Sequence, residues 1–422
     1  MQEESFKERH RRFSRYFTRK RVLSFVDLLV LQINRLVLSL SVELSTFLDV
    51  IGSPAIVSKQ AFSQARQNLS HTAFIELQDE FVKGYYTRKN LVKLYEDKYL
   101  LLGVDGSKVQ LPNCDELANH FGYSKNNSSK GMVMGRLSVV YDLVNEIILG
   151  GKFTSLSIGE RRHFFDLYQR FKVLGLLHDF KPLYLMDRGY PSFELCKRLD
   201  LDGAAFVIRC KASFCKETKA FVASGQAEQR LYLSPRSWHK GGKAKESPYA
   251  QGLELRIVRV LLKSGEYKYL LTNTDLSIEQ LSELYQLRWG VETLYSFLKE
   301  KMQLENFSSK TTEGVLQDCY ASLLTANLSQ ILIQEAQEEL DQEQALKKNK
   351  HTYKINKNTA IGILKNRIPT LLLKPQNLPQ QLNLLRQRIK KNRVAVIKGR
   401  SFPRWKLRRS RRKYHFAKKS AL

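Results

Sequence analysis

Apolar residues in the first 90 positions recur three and four apart, and from Lys98 onward the pattern turns to short apolar runs and alternation. The first spacing is that of one helix face and the second that of strands, so the chain predicts helices first and a sheet afterwards. Residues 22–51 are rich in Leu but interrupted by Asp27, Asn34, Arg35, Glu43 and Asp49. A membrane span of about 20 residues would not carry that many polar groups, so the stretch reads as amphipathic helix. After Ser53-Pro54-Ala55, Ser58 is a good N-cap for a short helix carrying Lys59, Gln60, Gln64 and Arg66. Those side chains can reach phosphates or base edges, and such a helix after a Pro turn suits a helix-turn-helix-like DNA reader. An ordinary surface helix accounts for the same residues.

Residues 99–104 form an apolar run ending at Asp105-Gly106-Ser107, and residues 131–140 and 146–153 supply two more strand-like runs. Helical character follows over 159–174, then a buried strand over 182–186 ending at Asp187, then another helix over 191–199. Residues 204–210, 230–233, 253–262 and 267–271 are β-rich and are expected to form an insertion of mostly antiparallel strands, with a polar Gly241-Gly242-Lys243 loop. Ser277 with Gln280 makes a capping box that opens a helix to about residue 301, with more helix to about 346. The expected division is a helical DNA-binding region over 1–90, an α/β core over 91–200 and 275–343 split by the insertion at 201–274, and a basic tail over 344–422.

Charge sharpens this picture. The chain has 422 residues, 70 Lys and Arg against 41 Asp and Glu, and a formal net charge of +29. Residues 344–422 hold 24 basic residues and no acid, and the first 21 residues hold eight basic and three acidic ones. That leaves 38 of each sign in the middle, so a neutral body is flanked by two positive ends. A polyanion gripped by the termini fits this distribution, while a solvated basic tail that only aids solubility is the plainer reading. Trp405 and Tyr414 lie among Arg404, Lys406, Arg408, Arg409, Arg411, Arg412 and Lys413, a mixture suited to nucleic-acid phosphates, with electrostatics favoured over stacking. Five scattered cysteines without a Cys-x-x-Cys pair argue against zinc or disulfides and for a reduced, cytoplasmic setting. The charged first 21 residues carry no secretory signal.

The chemistry lies in three acids. In-line displacement at phosphorus needs two divalent ions about 4 Å apart, held through oxygen by carboxylates on rigid elements. Asp105 and Asp187 are each expected at a strand end, where neighbouring strands bring such acids to one rim. On the helix from Ser277, Tyr285, Arg288, Glu292 and Lys299 fall within roughly 60° at about 100° per residue. An ordinary i, i+4 salt bridge explains Arg288 with Glu292 but not Tyr285 and Lys299 on the same stripe. A metal-binding Glu292 flanked by phosphate-binding Tyr285, Arg288 and Lys299 explains all four.

The segment from Tyr285 through Arg288-Trp289-Gly290-Val291-Glu292 to Lys299 resembles the Y-R-E-K pattern of the IS-four family of bacterial insertion-sequence transposases. Val104-Asp105-Gly106-Ser107 and Met186-Asp187-Arg188-Gly189-Tyr190 resemble that family's two preceding acidic motifs, in the right order and separated by 82 and then 105 residues. The resemblance covers about residues 99–304, and residues 53–74 are similar to the family's amino-terminal DNA-binding region. It implies a ribonuclease-H-like catalytic core and two Mg²⁺ or Mn²⁺ ions on Asp105, Asp187 and Glu292. It also implies double-stranded DNA (terminal inverted repeats and target) as partner, synapsis by a homodimer, and cut-and-paste transposition near the bacterial nucleoid. Relatives use an aromatic side chain of the insertion to aid a hairpin intermediate, and Trp238 or Tyr267 would fill that place here. DNA contacts are expected from Tyr285, Arg288, Lys299, Lys59, Arg66, Arg408 and Arg409. The competing reading keeps this fold as a DNA-binding repressor without chemistry. A nucleotide-driven enzyme is disfavoured because no Gly-x-x-x-x-Gly-Lys-Ser/Thr loop occurs.

Overall fold

The computed structural model describes residues 1–35, 39–124, 131–235, 250–262, 265–347, 351–365 and 367–397. In chain order the elements are α1 (Glu4–His10), α2 (Phe25–Asn34), α3 (Leu40–Ile51), α4 (Lys59–Arg66), α5 (Thr72–Thr87), β1 (Tyr99–Gln110), α6 (Asp115–Phe121) and β2 (Tyr123–Ser124). Next come β3 (Met132–Asp142), β4 (Ile147–Ser155), α7 (Glu160–Val173), β5 (Lys181–Met186), α8 (Phe193–Leu201), β6 (Ala205–Cys210), α9 (Lys216–Ser224), β7 (Glu228–Leu233), β8 (Leu253–Leu261) and β9 (Tyr267–Thr272). The chain ends with α10 (Ile278–Leu287), α11 (Trp289–Ser296), a π turn (Phe297–Lys301), α12 (Thr312–Ala345), β10 (Thr352–Ile355), α13 (Lys357–Lys365), α14 (Ile368–Leu373), α15 (Leu378–Lys391) and β11 (Arg393–Val396). None of the described helices is long and apolar enough to cross a membrane.

Two compact units share these elements. One holds Asp79–Val109 and Gly135–Ser296, and its strands run in the order β4-β3-β1-β5-β6-β9-β8-β7. β1, β5 and β6 are parallel, with Val104 opposite Met186 and Met186 opposite Ile208. β9, β8 and β7 then add antiparallel to the edge of β6. The strands read as an insertion therefore extend the same sheet, because β6 pairs in register with β5. Alternation along β5 sends Leu183 and Leu185 to one face, where they meet Leu101, Val207, Leu270, Leu281, Leu284 and Tyr285 beneath α10. Tyr184 points to the opposite face and meets Phe164 of α7 edge-on, with ring centroids 5.3 Å apart.

The other unit holds Met1–Gln78, Gln110–Met134 and the chain from Phe297 onward. Ser24 and Asp27 form a capping box on α2, and Ser58 accepts from the Ala61 N–H at the start of α4. Helix α12 is buried along its first half, where Asp318 is fully enclosed. Farther along, Glu335, Glu339 and Glu343 of α12 pair with Arg386 and Lys390 of α15. The acid-free region expected as a tail is thus folded between His351 and Ile397, where apolar positions such as Ile361, Leu364, Leu385 and Ile389 are buried. β10 and β11 close it as an antiparallel pair.

Candidate active site

The parallel ladder of β1 and β5 ends at Val104 opposite Met186, so the next residues, Asp105 and Asp187, follow side by side. Asp105 is not at a strand end, as the Asp-Gly pair suggests, because β1 continues through Gly106 and Ser107 to Gln110. What ends there is its pairing with β5. The backbone N–H of Gly106 donates to Asp105 Oδ1 at 2.8 Å, and that of Gly189 donates to Asp187 Oδ1 at 2.8 Å. Each carboxylate is therefore oriented by a nearby backbone N–H.

Glu292 reaches this rim because α11 comes unusually close to β1. A Cβ on Gly103 would lie 2.4 Å from Val291 Cγ2, nearer than packed carbons approach, so only glycine permits the contact. The Tyr295 hydroxyl fixes the helix in place from its other turn, donating to the carbonyls of Asp105 at 2.9 Å and Leu137 at 2.8 Å. Arg288 then bridges two of the three acids: Nη2 donates to Glu292 Oε1 at 2.7 Å, and Nη1 lies 3.5 Å from Asp105 Oδ2. Its Nε is buried without a partner among the described residues.

A cavity of about 550 Å³ opens beside these groups, lined by Asp187, Arg188, Arg209, Lys268, Tyr285, Gln286, Arg288, Trp289 and Glu292. Its lining combines the acids Asp187 and Glu292 with the cations Arg188, Arg209, Lys268 and Arg288. Lys268 lies 5.0 Å from the Tyr285 ring centroid and Arg288 lies 5.5 Å from it. Burial, reinforced by Arg209 and Arg288, lowers the Lys268 pKa from its ordinary value. Tyr285 is 5% exposed, and burial raises its phenol pKa. Trp289 is 53% exposed at the mouth, so packing does not account for it. Arg209 and Lys268 escaped the sequence reading, although register places Arg209 beside Asp187, one step past Met186 opposite Ile208.

Asp105 is strongly perturbed by its surroundings. Burial pushes its carboxyl up to about 6, the Gly106 N–H and Arg288 oppose the rise, and Asp187 and Glu160 add to it. Such crowding of carboxylates, with oxygen as the only donor, suits a hard divalent cation. At present the guanidinium of Arg288 supplies the positive charge between Asp105 and Glu292. Among the described residues no three His, Cys, Asp or Glu side chains are drawn together as a ready metal cage.

Three expectations need correction. The helix from Ser277 keeps its capping box, but it is interrupted at Arg288 and passes into the π turn at Phe297. Lys299 on that turn belongs to the other unit, where its Nζ lies 3.8 Å from Glu305 Oε1, so one helical wheel does not describe the four residues. Arg66, expected at a phosphate, is 3% exposed and donates to Gln317, Ser308, Gln32, the Gly314 carbonyl and Asp318. Its guanidinium is committed to the interior of its unit. Lys59 on the same helix is exposed. Tyr267 is 50% exposed at the start of β9, with Arg259 5.0 Å from its ring centroid. Trp238, the Gly241-Gly242-Lys243 loop, Trp405, Tyr414, Arg408, Arg409 and the basic residues around them lie outside the described residues.

Comparison with known proteins gives these residues a context. No curated protein matches the chain. Among solved structures it is similar to a chain from the cryo-EM structure of a piggyBac transposase synaptic complex with hairpin DNA. That likeness has 12% identity and a TM-score of 0.45, covers 96% of this chain and 83% of that one, and carries no weight here. The model of the transposase DDE domain matches residues 96–328, more than half of the sequence and all of the rim that holds Asp105, Asp187 and Glu292. The chain belongs to the transposases with a DDE domain.

Proposed function

We propose that this transposase cuts and joins DNA at the ends of an insertion sequence, by metal-dependent cut-and-paste chemistry, on a ribonuclease-H-like core of the IS-four type. The observation that carries the reading is Asp105 and Asp187 following side by side past a parallel ladder, with Arg288 bridging Asp105 to Glu292. These three carboxylates would hold Mg²⁺ or Mn²⁺, which activates an attacking oxygen and neutralises the leaving one. The residues around them divide the remaining work. Arg288 spans Asp105 and Glu292 and would turn its guanidinium to a scissile-strand phosphate when a metal takes its place. Arg209, Lys268 and Tyr285 line the same cavity, where they would neutralise and hold a backbone phosphate. Lys299, Lys59, Arg408 and Arg409 would add phosphate contacts outside this cavity, as positive charges on double-stranded DNA gripped by a homodimer.

The deciding experiment incubates the full chain with DNA carrying its own element's ends and Mg²⁺, comparing wild type with Glu292→Gln. Strand cleavage in wild type should fall by at least about 10³-fold in the variant, the scale on which loss of a group acting on developing charge is felt. Binding to the same DNA should be retained. A second reading, a DNA-binding repressor of the same fold, draws on the absence of a ready three-acid cage among the described residues. End binding with no cleavage by wild type, in Mn²⁺ as well as Mg²⁺, would select it.

A further inference from the structure

We infer that Glu160, the first residue of α7, is a fourth carboxylate of the metal site and faces Asp105 and Asp187 from the helix layer opposite α10. The inference rests on the reading of Asp105 and Asp187 as metal ligands. Its first support is a close approach. A Cβ on Gly106 would lie 2.6 Å from Glu160 Cδ and 2.7 Å from Oε1, so the carboxyl is laid directly against the backbone one residue past Asp105. Gly106 leaves room for that acid as Gly103 leaves room for α11. A large polar side chain at this point would be pushed aside by any residue but glycine.

The second support is an unsatisfied group nearby. Tyr190, four residues after Met186, is wholly buried, and its hydroxyl has no hydrogen-bond partner among the described residues. A buried phenol without a partner is costly and calls for an explanation such as a bound ion or its water. The groups acting on that phenol are, after burial itself, Glu160, Asp105, Tyr295 and Asp187. An orphaned hydroxyl in the field of Glu160, Asp105 and Asp187 marks a place where a cation and its hydration would find partners.

A purely structural role for Glu160 is the competing account. As an acid in the first turn of α7 it favours the helix dipole, and Arg136 is its nearest cation. That pair is loose, however: Arg136 Nε stands 3.8 Å from Glu160 Oε1, while its Nη1 donates to the Ile158 carbonyl at 2.7 Å. Arg136 therefore does not account for a carboxyl pressed against Gly106.

The test measures Mn²⁺ binding to the full chain by electron paramagnetic resonance, without DNA, for wild type, Glu160→Gln, Asp105→Asn and Asp187→Asn. Glu160→Gln should weaken Mn²⁺ binding by roughly 10-fold or more, as loss of a supporting carboxylate at a metal site does. Its melting temperature in chelator should not fall, because burial disfavours the charge and its pairing with Arg136 is loose. Wild-type affinity in Glu160→Gln beside weakened Asp105→Asn and Asp187→Asn would overturn the inference and leave the metal reading standing. Unchanged affinity in all three variants would overturn both. Should Glu160→Gln melt early, Glu160→Asp decides: partial recovery of Mn²⁺ affinity supports the inference, and its absence overturns it.

Discussion

Asp105 carries two opposed demands, since a carboxylate that is to hold a cation must be ionised, yet it is buried beside two other acids. Burial first, with Asp187 and Glu160 adding to it, lifts its carboxyl to about 6 despite the Gly106 N–H and Arg288. A carboxyl raised in the folded state stabilises the fold while protonated, so this contribution is full below about pH 4 and is lost as pH rises through 6. With a side chain 17% exposed, the loss is at most about 3 kcal/mol for a two-unit rise. In chelator, denaturant melts of wild type should therefore show stability declining between about pH 4 and 6 relative to Asp105→Asn, and Mg²⁺ should reverse the decline. A variant that runs parallel to wild type across that range would show that Asp105 is not perturbed. The same crowding explains Arg288, whose cation sits where two acids would otherwise repel. That Asp105 and Asp187 lie at neighbouring strands and Arg288 beside Glu292 was legible from residue type and spacing. Glu160 was not, because its role depends on a through-space approach to Gly106 that no periodicity in α7 announces.

Elements were legible where local chemistry and tertiary packing agree. The capping boxes at Ser24 and Ser277, the Ser58 cap, and the short apolar strands β1, β5 and β6 follow from side-chain hydrogen bonding and burial within a few residues. Disagreement arises where a helix meets a long-range constraint. The interruption at Arg288 and the π turn at Phe297 depend on what α11 packs against, and helical spacing alone predicts one uninterrupted element. Helix α4 is the sharper case, because a cationic side chain on a short helix reads as a DNA contact. Arg66 instead meets Asp318 at 2.9 Å, with Arg35 at 3.8 Å from the same carboxylate. Burial alone would raise that carboxyl, but Arg35, Arg66 and Ser308 hold it at about 2. Removing one member of such a buried pair costs about 3–5 kcal/mol, since the remaining charge is left uncompensated. Arg66→Gln should accordingly lower the denaturation midpoint by that amount while leaving the salt dependence of DNA binding by the folded fraction unchanged. A stable variant with a shallower salt dependence would restore Arg66 to the DNA surface.

Across the whole molecule, positive charge divides into a part the fold consumes and a part it leaves available. Residues 344–422 contain 24 basic residues and no acid, yet Arg386 and Lys390 already neutralise Glu335, Glu339 and Glu343 of α12. Helix α15 thus commits Arg386 and Lys390 to folding its own unit. The 25 residues from Lys398 carry 11 of the 24 and no acid, so nothing within that segment can pair them. If they meet phosphates, each contact releases a counterion, and the logarithm of affinity falls with the logarithm of salt by about 0.9 per contact. A chain truncated after Ile397 should bind non-specific duplex DNA more weakly at low salt and with a salt slope shallower by several units. Mn²⁺ binding should match the full chain, because Asp105, Asp187 and Glu292 all lie in the other unit. An unchanged slope would assign the segment to solubility rather than DNA. A lowered Mn²⁺ affinity would show instead that the charge at the end of the chain supports the acids directly, which the neutral balance of the middle of the sequence gives no reason to expect.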